Sequence, residues 1–225
     1  MKDPRWIDKA RRLLPNLVFG QSLWVEGNIF IDDLRLTERG WLELLPALKV
    51  PVLTFTAEEL TQALARFVEA ADFEMVIFPG EGGKVIQTFL GWEPGLHVPA
   101  RRIGLREPKA EVAGFTVSAR KVLVVDDVVA TGVTAAEIYR QGNLSADSQL
   151  ATWLMDSPRD VRLSVFRKVC TGLLIGGRRR VSKNTLSTFL RYPERLEDYA
   201  KRYARDPEEF VEFFGLIKEQ ADEGR

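Results

Sequence analysis

KVLVVDDVVATGVTAA, residues 121–136, sets four apolar side chains, two adjacent carboxylates and a Thr-Gly turn ahead of a run of helix formers. The apolar block predicts a buried strand over 121–125, and TAAEIYRQ (134–141) a helix directly after it. A lone Asp-Asp pair at a strand end is ordinarily solvated surface. Here Thr131-Gly132-Val133-Thr134 follows, and it changes the reading. Such a turn aims backbone N–H groups at one point, adds two hydroxyls and stands at the positive end of a helix dipole, so it suits a phosphate. Carboxylates repel a phosphate, which places Asp126 and Asp127 against another part of the same ligand. Acceptor-only groups suit the vicinal hydroxyls of a ribose, directly or through a hydrated Mg²⁺. Ribose 5-phosphate carries both features.

Outward from this stretch, strand-like and helix-like pieces alternate. Strands are expected at 50–55, 74–78, 121–125, 149–155 and 168–176, with an extended stretch at 97–105, and helices at 56–71, 84–92 and 134–141. That alternation predicts an α/β fold, a mostly parallel sheet flanked by helices, with ligands at the carboxyl ends of the strands. A second glycine-bearing turn, Pro79-Gly80-Glu81-Gly82-Gly83-Lys84, falls at such an end. Two segments flank this core of residues 50–176. Residues 1–49 contain WVEGNIFIDDLRL, which reads as hairpin-like. Residues 177–225 are helical, with Asp206 as a cap and Pro207 at a first helical position.

Composition removes several function classes. Lys+Arg and Asp+Glu are equal at 32 each, so no global field draws the chain to nucleic acid or to an acidic membrane. The single cysteine, Cys170, and the single histidine, His97, leave no disulfide, thiolate cluster or multi-histidine metal site, and a reducing, cytoplasmic setting is expected. The start is too charged for a signal peptide, and no apolar run approaches the roughly 18 residues of a membrane span. GGRRRVSK (176–183) reads as a solvated basic turn and His97 as structural.

Residues 121–136 resemble the phosphoribosyl-diphosphate (PRPP) motif of the type I phosphoribosyltransferases: an acidic pair, three small or apolar residues, then Thr-Gly-x-Thr. Asp126, Asp127, Thr131, Gly132 and Thr134 match it position by position. VLVVDD also opens phospho-receiver domains, but those need an Asp at a later strand end, where this chain has FRKVCT (166–171). The resemblance implies a Rossmann-like type I phosphoribosyltransferase fold with an N-terminal hood and a C-terminal helical extension. It implies that Ala130, Thr131, Gly132, Val133 and Thr134 hold the 5-phosphate, and that Asp126 and Asp127 hold the ribose hydroxyls and Mg²⁺. Gly80, Gly82, Gly83 and Lys84 would bind the pyrophosphate. Arg106-Glu107-Pro108-Lys109 is similar to the catalytic loop of the orotate enzymes, which implies catalytic roles for Arg106 and Lys109. FGQSLWVEGNIFIDDLRL (19–36) is similar to their hood.

Three departures fall at the base and pyrophosphate positions. Glu111-Val112 stands for the loop His-Gly, the hood lysine expected near Val25 is missing, and Asp156-Ser157 replaces an Asp-Arg pair. The implied reaction is Mg²⁺-dependent transfer of the 5-phosphoribosyl group from PRPP to a ring nitrogen of an orotate-like pyrimidine or another heterocyclic base, in a homodimer. The alternative is a non-catalytic PRPP- or nucleotide-binding regulator of the same fold, which Glu81 beside the expected pyrophosphate favours.

Overall fold

In chain order the elements are β1 (Asn28–Asp32), α1 (Glu38–Leu44), β2 (Val52–Thr56), α2 (Ala57–Ala65), β3 (Met75–Pro79), α3 (Gly80–Leu90), β4 (Gly95–Val98), β5 (Ala100–Ile103) and β6 (Lys109–Val112). They continue with β7 (Val122–Val129), α4 (Val133–Gln141), β8 (Gln149–Met155), β9 (Lys168–Leu174), β10 (Ser182–Thr185), α5 (Leu186–Arg191), α6 (Pro193–Tyr203) and α7 (Pro207–Glu223). The computed structural model describes residues 28–49, 52–93, 95–103, 109–155, 161–174 and 182–223. The described residues divide into two units, those within 57–174, and those within 28–56 together with 182–223.

The first of these is α/β, as the alternation predicts. Its sheet is parallel throughout, in the order β4-β3-β7-β8-β9. Parallel strands buried on both faces need near-continuous apolar sequence, and Val122 to Val125 and Leu150 to Met155 supply it. One face is covered by α2 and α3, the other by α4 and a 3-10 turn, Val161–Val165. On the α2–α3 face, Trp153 is fully buried and its indole N–H donates to Thr61 Oγ1 at 3.1 Å. On the other, Ile77, Val122, Val124 and Leu150 pack with Ala135, Ile138, Leu163 and Phe166.

The strand order reverses at β3/β7. From β3 the chain moves outward to β4, then returns to the other side of β3 as β7 and moves outward again. A reversal of this kind leaves a crevice at the carboxyl ends of the two central strands. β7 pairs with β3 only over Val122 to Val124 but with β8 as far as Val129. β3 parts from β7 after Ile77, stays paired with β4 as far as Pro79 and then turns into α3.

Several expected boundaries move: the helix of 56–71 ends at Ala65, the extended stretch of 97–105 divides between β4 and β5, and two further changes bear on the site. The strand of 121–125 runs on to Val129, so Asp126 and Asp127 lie within β7 rather than beyond it. β8 runs beside it as far as Met155, opposite Val129, and its ladder carries the acidic pair along. The glycine turn after β3 is confined to Pro79-Gly80, because α3 starts at Gly80 and takes in Gly82, Gly83 and Lys84.

The second unit holds a three-stranded parallel sheet, β10-β1-β2. WVEGNIFIDDLRL therefore contributes a parallel strand, β1, where a hairpin was expected; Trp24 to Gly27 lie outside the described residues. The turn after β1 is built by Asp32, whose carboxylate accepts the N–H groups of Leu34 and Leu36 and the indole N–H of Trp41. The described parts of the two flanks that the sequence separates, residues 28–49 and 182–223, belong to one unit here, and β2 belongs with them. Their shared core explains why: Phe30 of β1 meets Phe189 of α5 and Tyr199 of α6 edge-on, at 5.7 and 5.6 Å. Asp206 caps α7 through the N–H groups of Glu208 and Glu209, as expected.

Candidate functional site

At the carboxyl end of β7 the chain crosses into α4 through Ala130–Gly132. Gly132 takes φ +66°, a left-handed conformation that glycine adopts at little cost. It is the N-cap of α4, and no side chain caps this helix start. Free first-turn N–H groups together with the helix dipole make an anion site. A pocket of about 60 Å³ opens there, lined by Arg102, Asp126, Val128 to Val133, Thr134 and Ala135. That is several times the roughly 10–15 Å³ a single water requires. The structure thus gathers Asp126, Ala130, Thr131, Gly132, Val133 and Thr134 on one cavity.

Asp127 faces elsewhere. Successive strand side chains point to opposite faces, so Asp126 lies on the α4 side and Asp127 on the α3 side. A Cβ on Gly82 would sit 2.1 Å from Asp127 Oδ1. Gly82 of α3 and Asp127 of β7 are therefore in direct contact, and the absence of a side chain at 82 makes the room. The Asp127 carboxylate also accepts the Val128 N–H at 2.7 Å, and its carbonyl accepts the Thr152 hydroxyl at 3.0 Å. Asp126 accepts the Asp127 N–H at 3.0 Å. Burial, then the neighbouring Asp127 charge, push the Asp126 carboxyl well above the usual carboxylate range.

The other expected site residues are placed as follows. Gly80 turns at φ +61°, and its carbonyl accepts the His97 Nε2–H at 2.9 Å, so the lone histidine ties β4 to the start of α3. Gly83 is buried against the backbone of Phe78, while Lys84 is exposed on the first turns of α3. None of the four lines the 60 Å³ pocket. Lys109 opens β6 opposite Ile103, exposed, on the two-stranded β5–β6 ribbon. Arg106 lies outside the described residues, as do Asp156-Ser157. Glu111, which stands where the loop histidine was expected, pairs with Arg101 across the ribbon at 2.5 Å.

Two arginines come to the site unannounced by the motif. Arg102 of β5 lines the pocket, and Arg162 donates from Nη1 to the Thr131 carbonyl at 3.2 Å. Strand alternation was the available signal for the first: of Arg101-Arg102, one must face away from the other. Chemically the pocket offers hydroxyl, guanidinium and helix N–H donors at one side and a carboxyl acceptor at the other. Among the described residues no group of three His, Cys, Asp or Glu side chains converges on a metal position, and no helix is long and apolar enough to cross a membrane.

No family model and no curated protein matches the chain. Among solved structures, a hypothetical protein from Neisseria gonorrhoeae with bound ppGpp gives a TM-score of 0.43 at 15% identity, over 75% of this chain and 93% of that one. A purine phosphoribosyltransferase from Pyrococcus horikoshii gives 0.41 at 17%, over 57% and 87%. An APRTase from Giardia lamblia complexed with 9-deazaadenine gives 0.37 at 16%, over 55% and 78%.

Proposed function

We propose that the chain is a phosphoribosyltransferase that moves the 5-phosphoribosyl group of PRPP to a ring nitrogen of a heterocyclic base and releases pyrophosphate. The observation that carries this reading is the single pocket formed by Asp126, Thr131, Gly132, Val133 and Thr134 where the strand order reverses. Thr131, Thr134, the first N–H groups of α4 and the Arg102 guanidinium are donors for a 5-phosphate. Asp126, on this cavity, is an acceptor for the ribose hydroxyls, and Asp127, on the α3 side of β7 but within hydrogen-bond reach of Asp126, is the second acceptor.

In the reaction the bond from C1 of the sugar to the pyrophosphate oxygen breaks as the base nitrogen attacks C1, and the base later loses its ring proton to solvent. Positive charge grows on the sugar in between. That growing charge favours the ionised form of Asp126 despite its burial, and Asp127 adds to the field from the α3 side of β7, so no protein nucleophile is required; a ligand held at both ends reacts from a fixed position. Two carboxylates plus ligand oxygens are the donor set that a hydrated Mg²⁺ takes, so Asp126 and Asp127 would hold it; bound there, it would neutralise the leaving pyrophosphate. The first turn of α3, with Gly82, Gly83 and Lys84, is the proposed pyrophosphate side.

The Glu81 carboxylate in that same first turn favours a second reading, a binding protein that keeps PRPP or a nucleotide without transfer. One experiment separates them. The protein is incubated with PRPP, Mg²⁺ and a panel of purine and pyrimidine bases, orotate included, and pyrophosphate is assayed. Release with one base establishes the transferase and names its acceptor. Silence across the panel with PRPP binding by calorimetry establishes the second reading. Absence of both refutes the pocket assignment.

A further inference from the structure

We infer that Arg162, which lies outside the motif and outside the pocket wall, is a positioning residue that sets the direction of the peptide between Thr131 and Gly132 and so makes the turn attract an anion. The inference rests on the phosphate assignment proposed above.

The 3-10 turn Val161–Val165 packs on the outer side of the Thr131–Gly132 turn. Leu163 is 2% exposed, and a Cβ on Gly132 would lie 2.7 Å from Leu163 Cδ2 and 3.6 Å from Arg162 Cβ. From this side Arg162 Nη1 donates to the Thr131 carbonyl at 3.2 Å. A trans peptide is planar, with its C=O and N–H pointing opposite ways. With the Thr131 carbonyl turned to the guanidinium, the Gly132 N–H points away from Val161–Val165, toward the cavity that Thr131, Gly132, Val133 and Thr134 line. The opposite orientation would turn the carbonyl oxygen to the ligand and repel it. Glycine tolerates either sign of φ, so the sequence of the turn alone holds neither orientation. Arg162 selects between them, and Leu163 leaves no room at 132 for a side chain that would do it instead.

Arg162 is exposed, and its replacement leaves the buried contacts of Leu163 and Phe166 in place. The test compares the full-length protein with Arg162→Met, Arg162→Lys and, as a second uncharged variant, Arg162→Gln. Each is titrated calorimetrically with ribose 5-phosphate and with unphosphorylated ribose. The Gly132 amide resonance is followed by NMR in parallel. Arg162→Met weakens ribose 5-phosphate binding by about tenfold or more, the scale of one hydrogen bond to a charged group. Arg162→Lys recovers part of the loss, and the Gly132 amide shifts on titration in the wild type, less in Arg162→Lys and not in Arg162→Met. A merely structural role would lower the melting temperature while leaving the preference for the phosphorylated sugar intact. Wild-type affinity in both uncharged variants overturns the role of Arg162 while the phosphoribosyl reading stands. A wild-type protein that does not bind ribose 5-phosphate overturns both.

Discussion

Gly82→Ala is the sharpest perturbation the site offers, because it adds one methyl group at the contact between α3 and the acidic pair. The new Cβ would stand 2.1 Å from Asp127 Oδ1 and 2.3 Å from Cγ. Opening 2.1 Å to the roughly 3.5 Å of an ordinary contact moves the carboxylate by about 1.4 Å. A shift of that size breaks the 2.7 Å bond from the Val128 N–H. Hydrogen bonds to charged groups are worth about 1.5–3 kcal/mol. Against this, alanine is the better helix former by up to about 1 kcal/mol in a helix interior. The two effects oppose each other, so the net cost is about 0.5–3 kcal/mol, less than the stability of a typical domain, and the protein stays folded. Affinity for the ligand does not benefit from that offset. A misplacement near 1 Å in a reacting geometry costs on the order of a hundredfold, and PRPP affinity should fall by roughly tenfold to a hundredfold. The assay is calorimetric titration with PRPP in Mg²⁺ buffer, beside a thermal melt of each protein. Repeating it in an Asp127→Ala background closes a double-mutant cycle. If the methyl group acts by pushing Asp127, it has no further effect once Asp127 is gone. An equal loss in both backgrounds, or undiminished PRPP affinity in the single variant, refutes the reasoning.

The remaining predictions concern charge and packing. Asp127→Asn keeps the shape against Gly82 but removes charge, so turnover with whichever base proves active should drop by at least about a hundredfold, with an unchanged melt; wild-type-like kinetics would remove the assigned role. Thr61→Val deprives the buried Trp153 N–H of its acceptor. It should cost about 1–3 kcal/mol in chemical denaturation while Thr61→Ser costs little, and equal stability of the two variants would contradict this. Asp32 is buried, and desolvation raises its carboxyl above the usual range despite the N–H groups it accepts. Its contribution to stability is therefore full below the ordinary carboxylate pKa and is lost as pH rises through the raised value. The melting temperature of Asp32→Asn minus that of the wild type should rise as pH increases above about 4; a difference that falls with rising pH would show the sign is wrong.

The α/β class and the geometry of the turn proposed to hold a phosphate were legible because their information is local. A buried parallel strand needs an unbroken apolar run, and the turn after it builds its cradle from its own consecutive backbone N–H groups. Asp126 and Thr131 to Thr134 reach one pocket simply because a strand, a glycine and a helix follow one another. The strand boundary was the weak point. Asp126 and Asp127 look like a strand end by polarity, yet β8 keeps β7 in its ladder as far as Val129.

What only the tertiary structure decided depends on pairings that no local pattern encodes. β1 and β10 lie side by side, and Asp33 accepts from Ser187 at 154 positions' distance, so both ends of the chain enter one unit. Gly82 looked like a pyrophosphate-binding glycine, whereas its first visible task is to make room for Asp127, which sits on the opposite side of the strand-order reversal. Arg102 and Arg162 reach the turn from other parts of the fold, the second across 31 positions. By itself the sequence determined that Asp126 and Thr131 to Thr134 come to one cavity, because backbone geometry and residue chemistry act over a few positions. Which side chains aim, crowd and charge that site was decided by sheet order, because the contacts between α3, β5, β7 and Val161–Val165 exist only once the strands are assembled.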